Sequence, residues 1–108
     1  MKITEKISLN SQDVTWLESV INYTKIYFVD GSFLLVSYTL KTIEDRIKSH
    51  KNFIRIHRSY MVNQSYINSI TIQDKETFVR LTDNLELLVS RRKRNILKGI
   101  TQNNFTVL

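Results

Sequence analysis

Short runs of alternating apolar and polar residues, most closed by a turn-forming pair, recur along this 108-residue chain and constrain its fold more than any other feature. The runs are rich in β-branched and aromatic side chains, which suit a half-buried pleated surface. "KITEKISL" alternates with Ile3 and Ile7 on one side. "YTKIYFV" and "SFLLVS" flank Asp30-Gly31, which predicts a two-residue type I′ hairpin, since that turn needs positive φ at both central positions. "ETFVRL" and "LELLVS" flank Asp83-Asn84, a weaker form of the same signal. "YINSITIQ" predicts a further strand turning at Asp74-Lys75. The chain has no proline, so no strand is demoted on that ground.

Two segments carry helical periodicity instead. In "TLKTIEDRIKS", Leu40, Ile43 and Ile47 share one face behind a Thr39 N-cap, and Glu44, Asp45, Arg46 and Lys48 point outward. In "SRRKRNILKGI", Ser90 is the expected N-cap and Arg91–Arg94 the first turn, with Ile96, Leu97 and Ile100 packing inward. Cations at a helix start oppose the macrodipole by about 0.3–1 kcal/mol each. A cluster that works against local stability points to a site. The expected fold is one mostly β domain over residues 1–108 with two short helices. The tail "TQNNFTVL" either frays or adds a last short strand.

Charge narrows the partner. Residues 1–50 hold six Lys/Arg and six Asp/Glu, whereas residues 51–108 hold ten and four, so the whole excess of +6 lies in the second half. Four of those charges are consecutive, Arg91–Arg94. Such asymmetry suggests an anionic partner, nucleic acid first and a membrane surface second; the plainer alternative is a solvated basic face. The absence of cysteine excludes disulfides and thiolate metal sites and fits a reducing compartment. "MKITEKISLN" lacks the apolar core of a signal peptide, and no long apolar run predicts a membrane span, so the expected location is the cytoplasm.

The residue types for catalysis are sparse. His50 and His57 match no common metal-ligand spacing, and two glycines, Gly31 and Gly99, cannot build a phosphate loop. Neither an enzyme, a metal, a cofactor nor a small-molecule substrate is expected. What remains suits nucleic acid. Arginine reads guanine bidentately, asparagine does the same for adenine, and Ser, Lys and backbone N–H groups hold phosphates. These types gather in "VINYTK" (20–25), "HRSYMVN" (57–63) and "SRRKRN" (90–95), each where a strand pattern breaks and loops leave a scaffold. The aromatics Tyr27, Phe28, Phe33, Phe53 and Phe78 alternate inside strands and are expected in the core, as are Trp16 and Leu17. That argues against a stacking platform for RNA. Arg55, between Ile54 and Ile56, reads as an outward strand residue without a role.

Three ordered segments resemble the LytTR family of DNA-binding domains: "WLESVINYTKIYFVDG", "FIRIHRSYMVNQSYINSI" and "LLVSRRKRNILK". The second is similar to the family's F-x-R-x-H-R-S-aromatic-x-V-N hallmark, and the likeness spans about residues 3–100. It implies an elongated assembly of about ten short strands in small sheets with short helices. It also implies an effector domain of a bacterial transcription regulator, often of a two-component response regulator. Such domains read paired direct repeats of double-stranded DNA through loops in successive major grooves, two copies on one DNA face. Position by position, the resemblance makes Arg58, Arg92 and either Tyr23 or Thr24 base readers. Ser59, Lys25, Arg91, Lys93 and Arg94 become phosphate contacts. His57 and Asn63 are read as shaping the loop that presents Arg58. No segment supplies a receiver's acidic phosphorylation pocket, so the resemblance implies an excised effector domain or a short stand-alone regulator. The rival readings are a basic module binding RNA, acidic protein or anionic membrane.

Overall fold

A computed structural model describes residues 1–98 and 105–107. Among them, nine strands form two sheets. The first contains β1 (Val14–Val20), β2 (Tyr23–Phe28), β3 (Phe33–Val36), β4 (Phe53–His57) and β5 (Tyr60–Asn63), in the order β3-β2-β1-β5-β4. The second contains β6 (Ile67–Gln73), β7 (Glu76–Leu81), β8 (Glu86–Val89) and β9 (Phe105–Val107), in the order β8-β7-β6-β9. The pairings are antiparallel except β6 with β9. Helix α1 (Leu40–Arg46) links β3 to β4, and a 3-10 turn at Arg91–Lys93 leads into α2 (Arg94–Lys98). The molecule is elongated, about 43 × 24 × 23 Å.

The first sheet is apolar on both faces, which divides the core in two. One face carries Trp16, Ile54, Ile56 and Val62 onto Ile70, Val79, Leu81, Leu87 and Val89 of the second sheet and Leu97 of α2. The other carries Val14, Leu17, Ile26, Val36 and Met61 onto Ile3 and the apolar side of α1, Leu40, Ile43 and Ile47. A register shift between Val14 and Trp16 lets Val14 join Leu17 on the helix side while Trp16 faces the opposite sheet. Trp16 stacks on Tyr27 at 4.2 Å, and the Tyr27 hydroxyl donates to Glu18. Burial and that acceptor push the Tyr27 pKa up to about 12.

Several expectations change in the structure. Residues 1–10 fold back as a loop with a single Lys2–Ser8 bridge rather than a strand, because the Thr4 hydroxyl accepts the Lys6 and Ile7 N–H groups and bends the chain. Asp30-Gly31 is not a type I′ turn. Only Gly31 has positive φ, the Phe28 carbonyl accepts from Gly31, and Phe28 N–H donates to Ser32, giving a three-residue loop. The Asp30 carboxylate caps it by accepting from Ser32, which also lowers its pKa. Asp83-Asn84 repeats the plan, with Asn84 at φ 69° and the Leu85 N–H bonded to Asp83. The two-residue type I′ pattern occurs instead at Asp74-Lys75, where both φ values are positive.

In α1 the Thr39 hydroxyl accepts from Thr42 N–H, as an N-cap should. Glu44, expected outward, turns back onto β4. At the second helical segment Ser90 holds the N-cap position of the 3-10 turn without a side-chain cap, and its carbonyl accepts from Lys93 N–H. Leu97 is buried but Ile96 is exposed, since five helical residues cover the core with one side only. Ile100 lies outside the described residues. Phe33, expected in the core, is 51% exposed on β3, an edge strand of the first sheet.

Candidate nucleic-acid interface

Parts of the three polar segments meet around the turn between β4 and β5. Strand β4 ends at His57, the chain turns through Arg58 and Ser59, and β5 begins at Tyr60. Neither turn residue has positive φ, so the turn lacks the twist that makes two-residue hairpins self-sustaining. Neighbouring groups hold it instead. The Ser59 carbonyl accepts from Ser19 N–H, which places the β1–β2 tip at Ile21 and Asn22 beside the turn. The Ile56 carbonyl accepts from Ser90 N–H, which places the Arg91–Lys93 turn on its other side. The order across this end is therefore tip 21–22, turn 58–59, turn 91–93.

A register shift between Arg55 and His57 leaves the backbone kinked just before the turn. His57 Nδ1 accepts from Ser59 N–H at 3.0 Å, and its ring packs against Tyr60. That bond requires an unprotonated Nδ1. Burial, then the charges of Arg58 and Arg55, lower the His57 pKa below its ordinary value and keep it so.

Arg58, Arg91 and Arg92 are exposed, and none of these three guanidinium groups forms a hydrogen bond or ion pair among the described residues. Arg58, Arg92, Lys93, His57 and Ser90 line one open cleft of about 470 Å³, together with Lys41, Glu44 and Arg55. Two planar donor forks at the mouth of a basic cleft can address base edges or phosphates. Among the described residues no group of three or more His, Cys, Asp or Glu could hold a metal ion.

The tip residues divide sharply. Tyr23 is 44% exposed at the start of β2. Thr24 is fully buried and its hydroxyl donates to the Tyr38 carbonyl at 2.8 Å, so it cannot reach a base. Lys25 is half-buried, with its ammonium over the Phe33 ring at 4.6 Å. Asn63 does not shape the Arg58 turn. It is buried at the opposite end of β5, where its amide bonds Ser11, Val14, Asn52 and Ser65 and ties β5 to the start of β1. Arg94 leans away from the cleft and donates to the Lys75 carbonyl.

Two basic residues that the sequence did not assign to the site reach this end. Lys75 is exposed on the tip of the β6–β7 hairpin, bonded through its carbonyl to Arg94. Lys41 lines the cleft from the first turn of α1. Neither belongs to a basic run, Lys75 standing between Asp74 and Glu76, and only the tertiary arrangement brings them near Arg91–Lys93. Arg55 is the third omission. Its Nε donates to the His57 carbonyl, one terminal nitrogen to the Arg58 carbonyl, and the other to Glu44 at 2.7 Å.

The model of the LytTr DNA-binding domain family matches residues 4–102. Among solved structures, the LytTr DNA-binding domain of a Bacillus cereus protein assigned as a methyl-accepting/DNA response regulator superposes with a TM-score of 0.73. That likeness covers 90% of each chain at 20% sequence identity, and so concerns the fold. No curated protein matches the chain.

Proposed function

Because the chain belongs to the LytTR family of DNA-binding domains, we propose that it binds double-stranded DNA sequence-specifically as the effector part of a bacterial transcription regulator of the response-regulator type. The observation that carries the reading is the convergence of Arg58 and Arg92, both exposed, on one basic cleft. Each fork reads a base edge, with guanine O6 and N7 the best geometric match. Tyr23 on the adjacent tip is the third reader; Thr24 is not. Ser59, Arg91, Lys93, Lys75 and Lys41 hold phosphates and set the register. Lys25 approaches the backbone only after leaving Phe33, and Arg94 braces the Lys75 hairpin.

Residues 1–108 act as one DNA-binding unit, a reading supported by an apolar cluster that both sheets share. Two copies bind side by side on one face of the duplex, at direct repeats about one helical turn apart. The site of action is the cytoplasm, and no small molecule or cofactor takes part.

Selection from random duplexes at about 0.15 M salt tests this, with RNA and anionic vesicles as competitors. It should return a repeated motif. On that motif Arg58→Ala and Arg92→Ala should each lose about 1–3 kcal/mol, with little loss on random DNA. Equal losses on both duplexes would remove them as base readers. Preferential capture by RNA or vesicles would replace the proposal altogether.

A further inference from the structure

Arg55 was legible in the sequence only as an outward residue of an amphipathic strand, yet the structure holds it tightly. It sits on the face of β4 opposite Ile54 and Ile56, both of which enter the core. Its side chain is 15% exposed, and that of its partner Glu44 27%. The guanidinium donates through all three nitrogens: to Glu44 of α1, to the His57 carbonyl and to the Arg58 carbonyl. With the Ser90 bond to Ile56 and the Ser19 bond to Ser59, four successive carbonyls from Ile56 to Ser59 all have donors. Arg55 supplies the middle two.

We propose that Arg55, oriented by Glu44, is a positioning residue for sequence reading, fixing the backbone from which Arg58 projects and making α1 part of the reading apparatus. The inference rests on the proposed base-reading role of Arg58. Its physical ground is the turn itself. With negative φ at Arg58 and Ser59, the turn is not self-sustaining, and its conformation depends on bonds from outside. A reading side chain must be held within about 0.5 Å of its productive place, and supporting hydrogen bonds do that. Lysine cannot substitute, because a single ammonium lacks the planar fork that spans two carbonyls and a carboxylate. Direct phosphate contact is the rival role for Arg55. It is disfavoured because every guanidinium nitrogen is already engaged.

The rivals separate in one set of measurements. Wild type, Arg55→Lys, Glu44→Ala, the double variant and Arg58→Ala are titrated on the selected duplex and on random DNA, with thermal midpoints recorded. Arg55→Lys keeps the charge and should stay within about twofold of wild type on random DNA. Its preference for the selected duplex should fall about tenfold, since the reader is displaced rather than deleted. Glu44→Ala should act in the same direction, and the double variant should be no worse than Arg55→Lys alone. Backbone amide signals of Arg58 and Ser59 should shift or broaden in both single variants. The inference is overturned if Arg55→Lys retains full preference, if both duplexes lose affinity equally, or if the losses follow thermal midpoints alone. Full preference in Arg55→Lys beside its loss in Arg58→Ala sinks only the role of Arg55. Absence of preference in wild type sinks the DNA-reading proposal first, and this inference with it.

Discussion

His57 connects protonation to the geometry of the Arg58–Ser59 turn. Its Nδ1 accepts from Ser59 N–H, and protonation would set two donors against each other. Burial first, and the two flanking arginines second, lower its pKa from the ordinary 6.5. The unfolded chain therefore takes up a proton at a pH where the folded chain does not, and stability falls as pH falls. The contribution is whole above the ordinary histidine value and is lost as pH drops through the lowered one. His57→Gln, which does not titrate, should reduce the difference in thermal midpoint between pH 7.5 and pH 5; an undiminished difference would refute this. Thr24 supplies a contrasting test beside the same site. Thr24→Val keeps the shape but leaves the Tyr38 carbonyl without its donor, and should cost about 1 kcal/mol of stability. Denaturant titration measures that cost. The preference between selected and random DNA should not change, and a lost preference would return Thr24 to the reading set.

The elements show which signals a sequence carries locally. Alternation in "YTKIYFV", "SFLLVS", "ETFVRL" and "LELLVS" was sufficient to locate β2, β3, β7 and β8, because a half-buried strand imposes period 2 on its own residues. Turn type was less legible. The type I′ geometry expected at Asp30-Gly31 occurs at Asp74-Lys75, for which the sequence offered a turn but no type, because the closing hydrogen bonds and strand register decide the turn, and neither is local. Ile21 is the extreme case. It is 87% exposed with φ 56° at the tip between β1 and β2, a conformation that β-branched residues rarely adopt. No core contact explains an isoleucine there. Ile21→Gly removes the left-handed strain of about 1–2 kcal/mol. It adds about 0.5–1 kcal/mol of unfolded-chain entropy. The variant should therefore be more stable by up to about 1.5 kcal/mol in urea unfolding. A destabilised variant would mean that the isoleucine side chain contributes packing at this tip.

At the scale of the molecule, charge placement decides how much of the site a sequence can reveal. Arg91–Lys93 was legible because its charges are consecutive, and Arg58 because it stands in a polar break between two strands. Lys41, Lys75 and the Arg55–Glu44 pair were not, since each depends on contacts between segments far apart in the chain. The same distribution predicts the salt response. Lys93 lines the cleft beside Arg58 and Arg92. Lys51, which is exposed, precedes β4 at the opposite end, next to Asn52 and its bonds to Asn63 and Ser65. The two ends of β4 are separated by roughly five residues of extended chain, about 15 Å, which exceeds the Debye length near physiological salt. A lysine that neutralises a phosphate releases a counterion and steepens the salt dependence of binding. Lys93→Ala should therefore weaken selected and random duplexes alike and reduce the log–log salt slope by about one. Lys51→Ala carries the same change in net charge and should leave the slope unaltered. If the two variants shift the slope equally, overall charge rather than this surface governs DNA binding, and the placement of the interface at the Arg58 end fails.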